Sequence, residues 1–178
     1  MSGKNQRLLA RVSYDGMAYR GFQLQPGNAK TVQGELEAVL SKRFGKGIYV
    51  VGASRTDTGV HARGQAVHFD LPSKAAGDMG RLEYACNQML PEDIRMWNLT
   101  VAPAPSPERL AMGLPFHANV DASSKLYSYR IFIGPVVCPL DQLFRAHVPG
   151  PIDLGLLDDA LQQFRGTHNF AAFANQLD

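Results

Sequence analysis

The order of hydrophobic patterns along the chain predicts an α+β fold with a mixed or largely antiparallel sheet and helices on one face. Three observations carry this. Period-2 apolar runs alternate with helical runs, helices are separated by pairs of strands, and the 178 residues are 45% hydrophobic and 19% charged, enough apolar material for a core. Arg7 to Tyr14 places Leu8, Ala10, Val12 and Tyr14 on one face of a strand, and Asp15-Gly16 breaks it. Thr31 can cap a helix in which Val32, Leu36, Val39 and Leu40 recur at helical spacing, with Gly45 and Gly47 marking its end. Ile48 to Val51 reads as a buried strand, Gly52 to Gly59 as a polar turn, and Ala66 to Leu71 as a further strand. Met79, Leu82, Ala85, Cys86 and Met89 give a second amphipathic helix that stops before Pro91, and Ile94 to Val101 is a strand. Pro103, Pro105, Pro107 and Pro115 mark a stiff connection. Beyond it Lys125 to Ile133 alternates strongly enough for a strand, and Leu156 to Phe164 forms a last helix closed by Gly166. The expected organisation is an N-terminal α+β half over residues 1–101, a Pro-rich connection over 102–115 and a partial C-terminal α+β half over 116–178.

Composition narrows the function. No run approaches the ~20 apolar residues that span a bilayer, and the N-terminus lacks the apolar stretch of a secretory signal. Cys86 and Cys138 allow no disulfide framework, and neither a Cys-x-x-Cys pair nor a His pair at metal spacing occurs. The expectation is a cytoplasmic protein with no membrane partner, no metal and no cofactor, though a nuclear or organellar location stays open. Charge is uneven: residues 1–65 carry ten Lys and Arg against four Asp and Glu, and the remainder eight against twelve. A basic first third suits an anionic partner such as nucleic acid, although a solvated basic face produces the same count.

The chemistry-bearing stretch is Ala53-Ser-Arg-Thr-Asp-Thr-Gly-Val-His-Ala62. By itself, an Arg two residues before an Asp and a Gly two after it describe an ordinary turn with a surface ion pair. Asp57-Thr58-Gly59 is also the tripeptide of aspartic proteases, and Ile131-Phe-Ile-Gly134 resembles the strand those enzymes place behind their dyad. Arg55 argues against a retropepsin-like protease, because a fixed cation favours two ionised carboxylates over a shared proton.

With its flanks, Arg55-Thr-Asp-Thr-Gly-Val-His-Ala62 followed by Gly64-Gln65 and Val67-His-Phe69 resembles the catalytic motif of tRNA pseudouridine synthases of the TruA family. Further segments agree in order: Tyr14-Asp-Gly16, Tyr19-x-Gly-Phe-Gln23, Thr31-Val-Gln33 with Leu36-Glu37, Asn87 with Leu90-Pro91 and Asp93-Ile94, Phe116-His-Ala118, Tyr127-x-Tyr129, and Gly166-Thr-His-Asn-Phe170 with Phe173. The resemblance implies a homodimeric isomerase that converts specific uridines of tRNA to pseudouridine, in the anticodon stem-loop, on a fold of two related halves. It makes Asp57 the catalytic carboxylate, acting as nucleophile or as base. Arg55 is then the substrate-binding cation that keeps it ionised, and Tyr127 the aromatic platform under the extruded base. Arg7, Arg11, Arg20, Lys42, Arg43, Lys46 and Arg63 are phosphate candidates as a group. His61, His68 and His117 are expected to be structural.

Departures from the family pattern are Ser54 for Gly, Thr58 for Ala, Asn169 for Asp, and a longer Pro-rich stretch. Family members also continue further, so the second half is expected to be incomplete, and a non-catalytic RNA-binding fragment stands as the alternative to an enzyme.

Overall fold

The computed structural model describes residues 5–45 and 47–173. These fall into two compact units, one running up to Lys125 and one starting at Leu126. The first is an antiparallel sheet of four strands, β1 (Asn5–Tyr14), β2 (Val51–Gly52), β3 (Ala62–Pro72) and β4 (Ile94–Val101), in the order β2-β3-β1-β4. The helices that pack on it are α1 (Val32–Phe44) and α2 (Met79–Met89). Together with the second unit this is a mixed α+β protein.

The alternation read in β1 is realised without exception. Leu8, Ala10 and Val12 are fully buried and pair with Phe69, Val67 and Gln65 of β3, while Arg7, Leu9, Arg11 and Ser13 occupy the opposite face. The buried face joins Val32, Leu36 and Leu40 of α1 and Leu82 and Cys86 of α2 in one core. Each such aliphatic side chain contributes roughly 1.5–3 kcal/mol by leaving water. Both helices are capped from their own sequence: Thr31 Oγ1 accepts from Gly34 N at 3.2 Å, and Asp78 Oδ1 accepts from Arg81 N at 3.0 Å.

Two strand expectations need correction. Ile48 to Val51 was expected as a strand, but pairing begins only at Val51. The amides of Ile48 and Val50 are taken instead by Ser41 Oγ (3.0 Å) and Glu37 Oε1 (2.9 Å) of α1, which removes them from any ladder. Likewise Lys125 to Ile133 narrows to β5 (Ile131–Ile133), the residues that form a ladder with β6 (Ala146–Val148), with which they run parallel.

The Pro-rich segment is more ordered than a plain connection. It contains α3 (Pro107–Ala111), and Arg109 donates to the carbonyl of Pro115 at 2.8 Å and lies 3.4 Å from Asp121. The chain then crosses the polar side of the sheet. Arg7 Nη1 donates to Phe116 O at 2.7 Å while its Nε and Nη2 hold Asp70, and Ala118 N donates to His68 Nδ1 at 3.1 Å. The first unit therefore absorbs residues well past 115.

In the second unit α4 (Pro139–Gln142) links β5 and β6, and α5 (Leu154–Gln162) begins at Asp153, whose carboxylate accepts from Gly155 N and Leu156 N. Phe164, Phe170 and Phe173 cluster beyond it, with centroids 5.4–6.4 Å apart. No residue of α5 is buried.

Candidate active-site cleft

The segment Ser54 to His61 is held against the loop that follows β1. Phe22 N donates to Thr56 O (3.0 Å), Tyr14 Oη and Thr56 Oγ1 share a hydrogen bond of 2.7 Å, and Val60 N closes a turn onto Asp57 O (3.2 Å). Two glycines of the flanking motifs make this approach possible. A Cβ on Gly16 would lie 2.0 Å from the carbonyl oxygen of Val60. At Gly21 it would lie 2.6 Å from that of Thr56, and Gly21 also has φ +90°, a conformation that L side chains avoid. The two loops therefore touch backbone to backbone, and that contact fixes where Arg55 and Asp57 stand.

Other motif residues brace the same loops rather than face a ligand. Gln33 accepts from Leu24 N (3.0 Å) and donates to Glu37, which in turn receives Val50 N. Tyr19 is buried beneath Lys30, whose Nζ sits 4.6 Å from the ring centroid, and donates to Asp93 at 2.6 Å. Burial and that carboxylate together push the Tyr19 phenol well above its ordinary value, so it stays protonated as a tie to the β4 turn. Asn87 clamps Met96 through both its amide N–H and carbonyl.

Between the loops opens a cleft of about 500 Å³ that gathers Arg20, Arg55 and Asp57 with Gln23 and Gln25. Two guanidiniums, one carboxylate and two amides make a mouth suited to an anion beside a single carboxylate. Arg55 and Asp57 are both exposed, and among the described residues they share the cleft without a direct ion pair. Tyr127 belongs to the second unit, outside any strand ladder and 60% exposed.

The sequence places Arg20 only among the undifferentiated cations and does not single out Gln25. The signal for Arg20 was its place inside Tyr19-x-Gly-Phe-Gln23, between two residues whose roles are structural. Of the histidines, His61 lies 3.0 Å from Asp15 Oδ1 at the loop junction. His68 is 97% buried, with its pKa lowered to about 4 by burial first and then by Arg7 and His117. Neither lines the cleft. Among the described residues no group of three or more His, Cys, Asp or Glu converges to hold a metal, and no helix is long and apolar enough to cross a membrane.

No family model matches the chain. Individual proteins do. A tRNA pseudouridine synthase A from Streptococcus sanguinis is 37% identical over 168 residues, covering 94% of this chain and 62% of the relative. One from Latilactobacillus sakei is 40% identical over 172 residues (95% and 63%), and one from Halalkalibacterium halodurans 39% identical over 169 (94% and 59%). The chain thus spans about three fifths of the length of these curated relatives, and over nearly all of its own length it is similar to proteins named tRNA pseudouridine synthase A.

Proposed function

We propose that the chain belongs to a tRNA pseudouridine synthase with a pseudouridine synthase-like fold, and that Asp57 is its catalytic carboxylate. The observation that supports this is the cleft itself: loops pressed together at Gly16 and Gly21 line one cleft with Arg20, Arg55 and Asp57, in the segment that carries the family motif. The reaction breaks the N1–C1′ glycosidic bond of uridine, turns the uracil and rejoins it through C5, without net redox change or hydrolysis. One carboxylate suffices, as nucleophile or as base, provided it is ionised and close to the sugar and ring. The two guanidiniums of the cleft hold the flanking phosphates, whose attraction offsets the few kcal/mol lost when a nucleotide is unstacked. The same two cations weigh against a protease dyad, which needs a shared proton. Tyr127 is the aromatic surface for the extruded uracil, its ring able to contribute ~1–3 kcal/mol by stacking. The remaining parts of this reading are a cytoplasmic homodimer, tRNA lying across both subunits, and modification within the anticodon stem-loop.

The test is tritium release from unmodified tRNA labelled at uridine C5. The wild-type chain is expected to release label, and Asp57→Asn to release none while still binding the RNA. Silence of the wild-type chain on bound tRNA overturns catalysis by residues 1–178 and leaves the RNA-binding fragment as the reading.

A further inference from the structure

The polar side of the first unit's sheet is covered at one end by the returning chain around Phe116 and Ala118, and open at the other. The open end carries the single tryptophan of the sequence, Trp97 of β4, 43% exposed. Its indole is not free to swing. Nε1 donates to Ser13 Oγ of β1 at 2.9 Å, and the six-membered ring passes on over Gly64 of β3, where a Cβ would stand 3.0 Å from Cζ2. The ring therefore reaches from β4 across β1 to β3, one side towards the sheet and the other towards solvent.

Sequence features give it this position. Leu9 pairs with Thr100 but Arg11 with Trp97, so β4 holds one extra residue, and Asn98 in that bulge has φ +53°. The bulge leaves Met96 and Leu99 in the core while Trp97 stays on the polar side. Keeping it in water, ordered and flat, forgoes much of the stabilisation its burial would bring.

Its neighbours are cationic. Arg11 stands directly across from Trp97, and Arg95, across from Ser13, is on the same face. Arg63 is exposed at the irregularity where β3 meets the end of β1. Arg11 spends one hydrogen bond on Gly64 O (3.2 Å), and Arg95 turns one nitrogen to the carbonyls of Pro91 and Ile94. Among the described residues none of the three is in a salt bridge, and the one carboxylate on this face of the strands, Asp70, is taken by Arg7 at the covered end. An ordered, solvent-facing aromatic plane ringed by guanidiniums with donors to spare is what a stacked base and its phosphates require.

We propose that Trp97, with Arg11, Arg63 and Arg95, forms a second RNA-contact surface, on which an unpaired nucleotide outside the catalytic cleft stacks on the indole while the arginines hold its phosphates. The proposal rests on the reading of RNA as substrate. It places the contact at the end of the sheet from which the Asp57 segment leads into β3, so one RNA can engage both.

Trp97 reports on itself, being the only tryptophan. The wild-type chain is titrated with an unmodified tRNA transcript carrying a terminal fluorescein, reading the anisotropy of the label and the emission of Trp97 in parallel. Both should saturate with one midpoint, the emission quenched. Trp97→Ala should bind about 5- to 100-fold more weakly and Trp97→Phe should retain most of the affinity. Arg11→Gln and Arg95→Gln should each lower the salt slope of binding by about one. Far-UV circular dichroism checks that each variant is folded. Anisotropy that rises while Trp97 emission is unmoved and Trp97→Ala binds normally overturns the platform and leaves the RNA reading standing. No anisotropy change at all overturns both. Emission that changes with protein concentration alone, with self-association in sedimentation, makes the face an interface between copies and overturns the proposal.

Discussion

Gly21→Ala tests whether backbone contact between two loops builds the cleft. At φ +90° an alanine pays about 1–2 kcal/mol for the left-handed conformation. Its Cβ would also stand 2.6 Å from Thr56 O, so the loops must part, and the Phe22 N–H bond to that same oxygen (3.0 Å) is lost for about 1 kcal/mol more. The sum is about 2–3 kcal/mol. With a urea dependence of about 2 kcal/mol/M, the midpoint falls by about 1–1.5 M. Gly27→Ala is the matched control, since Gly27 has φ +78° and nothing within 4 Å of the added carbon, so it bears the conformational cost alone. Trp97 emission follows unfolding of the first unit in both variants. Equal midpoints for Gly21→Ala and Gly27→Ala would refute the contact. A drop confined to stability, with tRNA binding unchanged in the folded variant, would refute its role in placing Arg55 and Asp57.

Other outcomes follow from the same geometry. His68 accepts from Ala118 N and is held neutral, its pKa lowered to about 4, so stability is full above about pH 6.5, where the unfolded histidine is also neutral, and falls as pH drops towards 4. Urea midpoints measured across that window should decline for the wild-type chain and decline less for His68→Asn, which does not titrate. Burial pushes the Cys86 thiol up to about 11, whereas Cys138 is exposed. A disulfide reagent at pH 8 should therefore modify one thiol quickly and the other only in denaturant, and two fast thiols would show that α2 does not stay packed.

What the sequence determined by itself was local. Alternation in β1 and helical spacing in α1 and α2 need only neighbouring residues, and Thr31 and Asp78 cap from within three positions of their partners. The motif around Asp57 was legible for the same reason, as a short run of residue types. What only the tertiary structure decided depends on partners far along the chain. Tyr127 and Tyr129 alternate like a strand, yet they join no ladder, since a strand is defined by its partner and β6 meets only Ile131 to Ile133. Ile48 and Val50 are apolar and β-branched, but side chains of α1 claim their amides first. Arg20 and Gln25 reach the cleft because two glycines let distant backbones touch, and Trp97 becomes an exposed plane because Gly64, on another strand, has no side chain to lift it. In the last two cases the deciding contact is a close approach between segments that share no local pattern, and the absence of a single Cβ permits it.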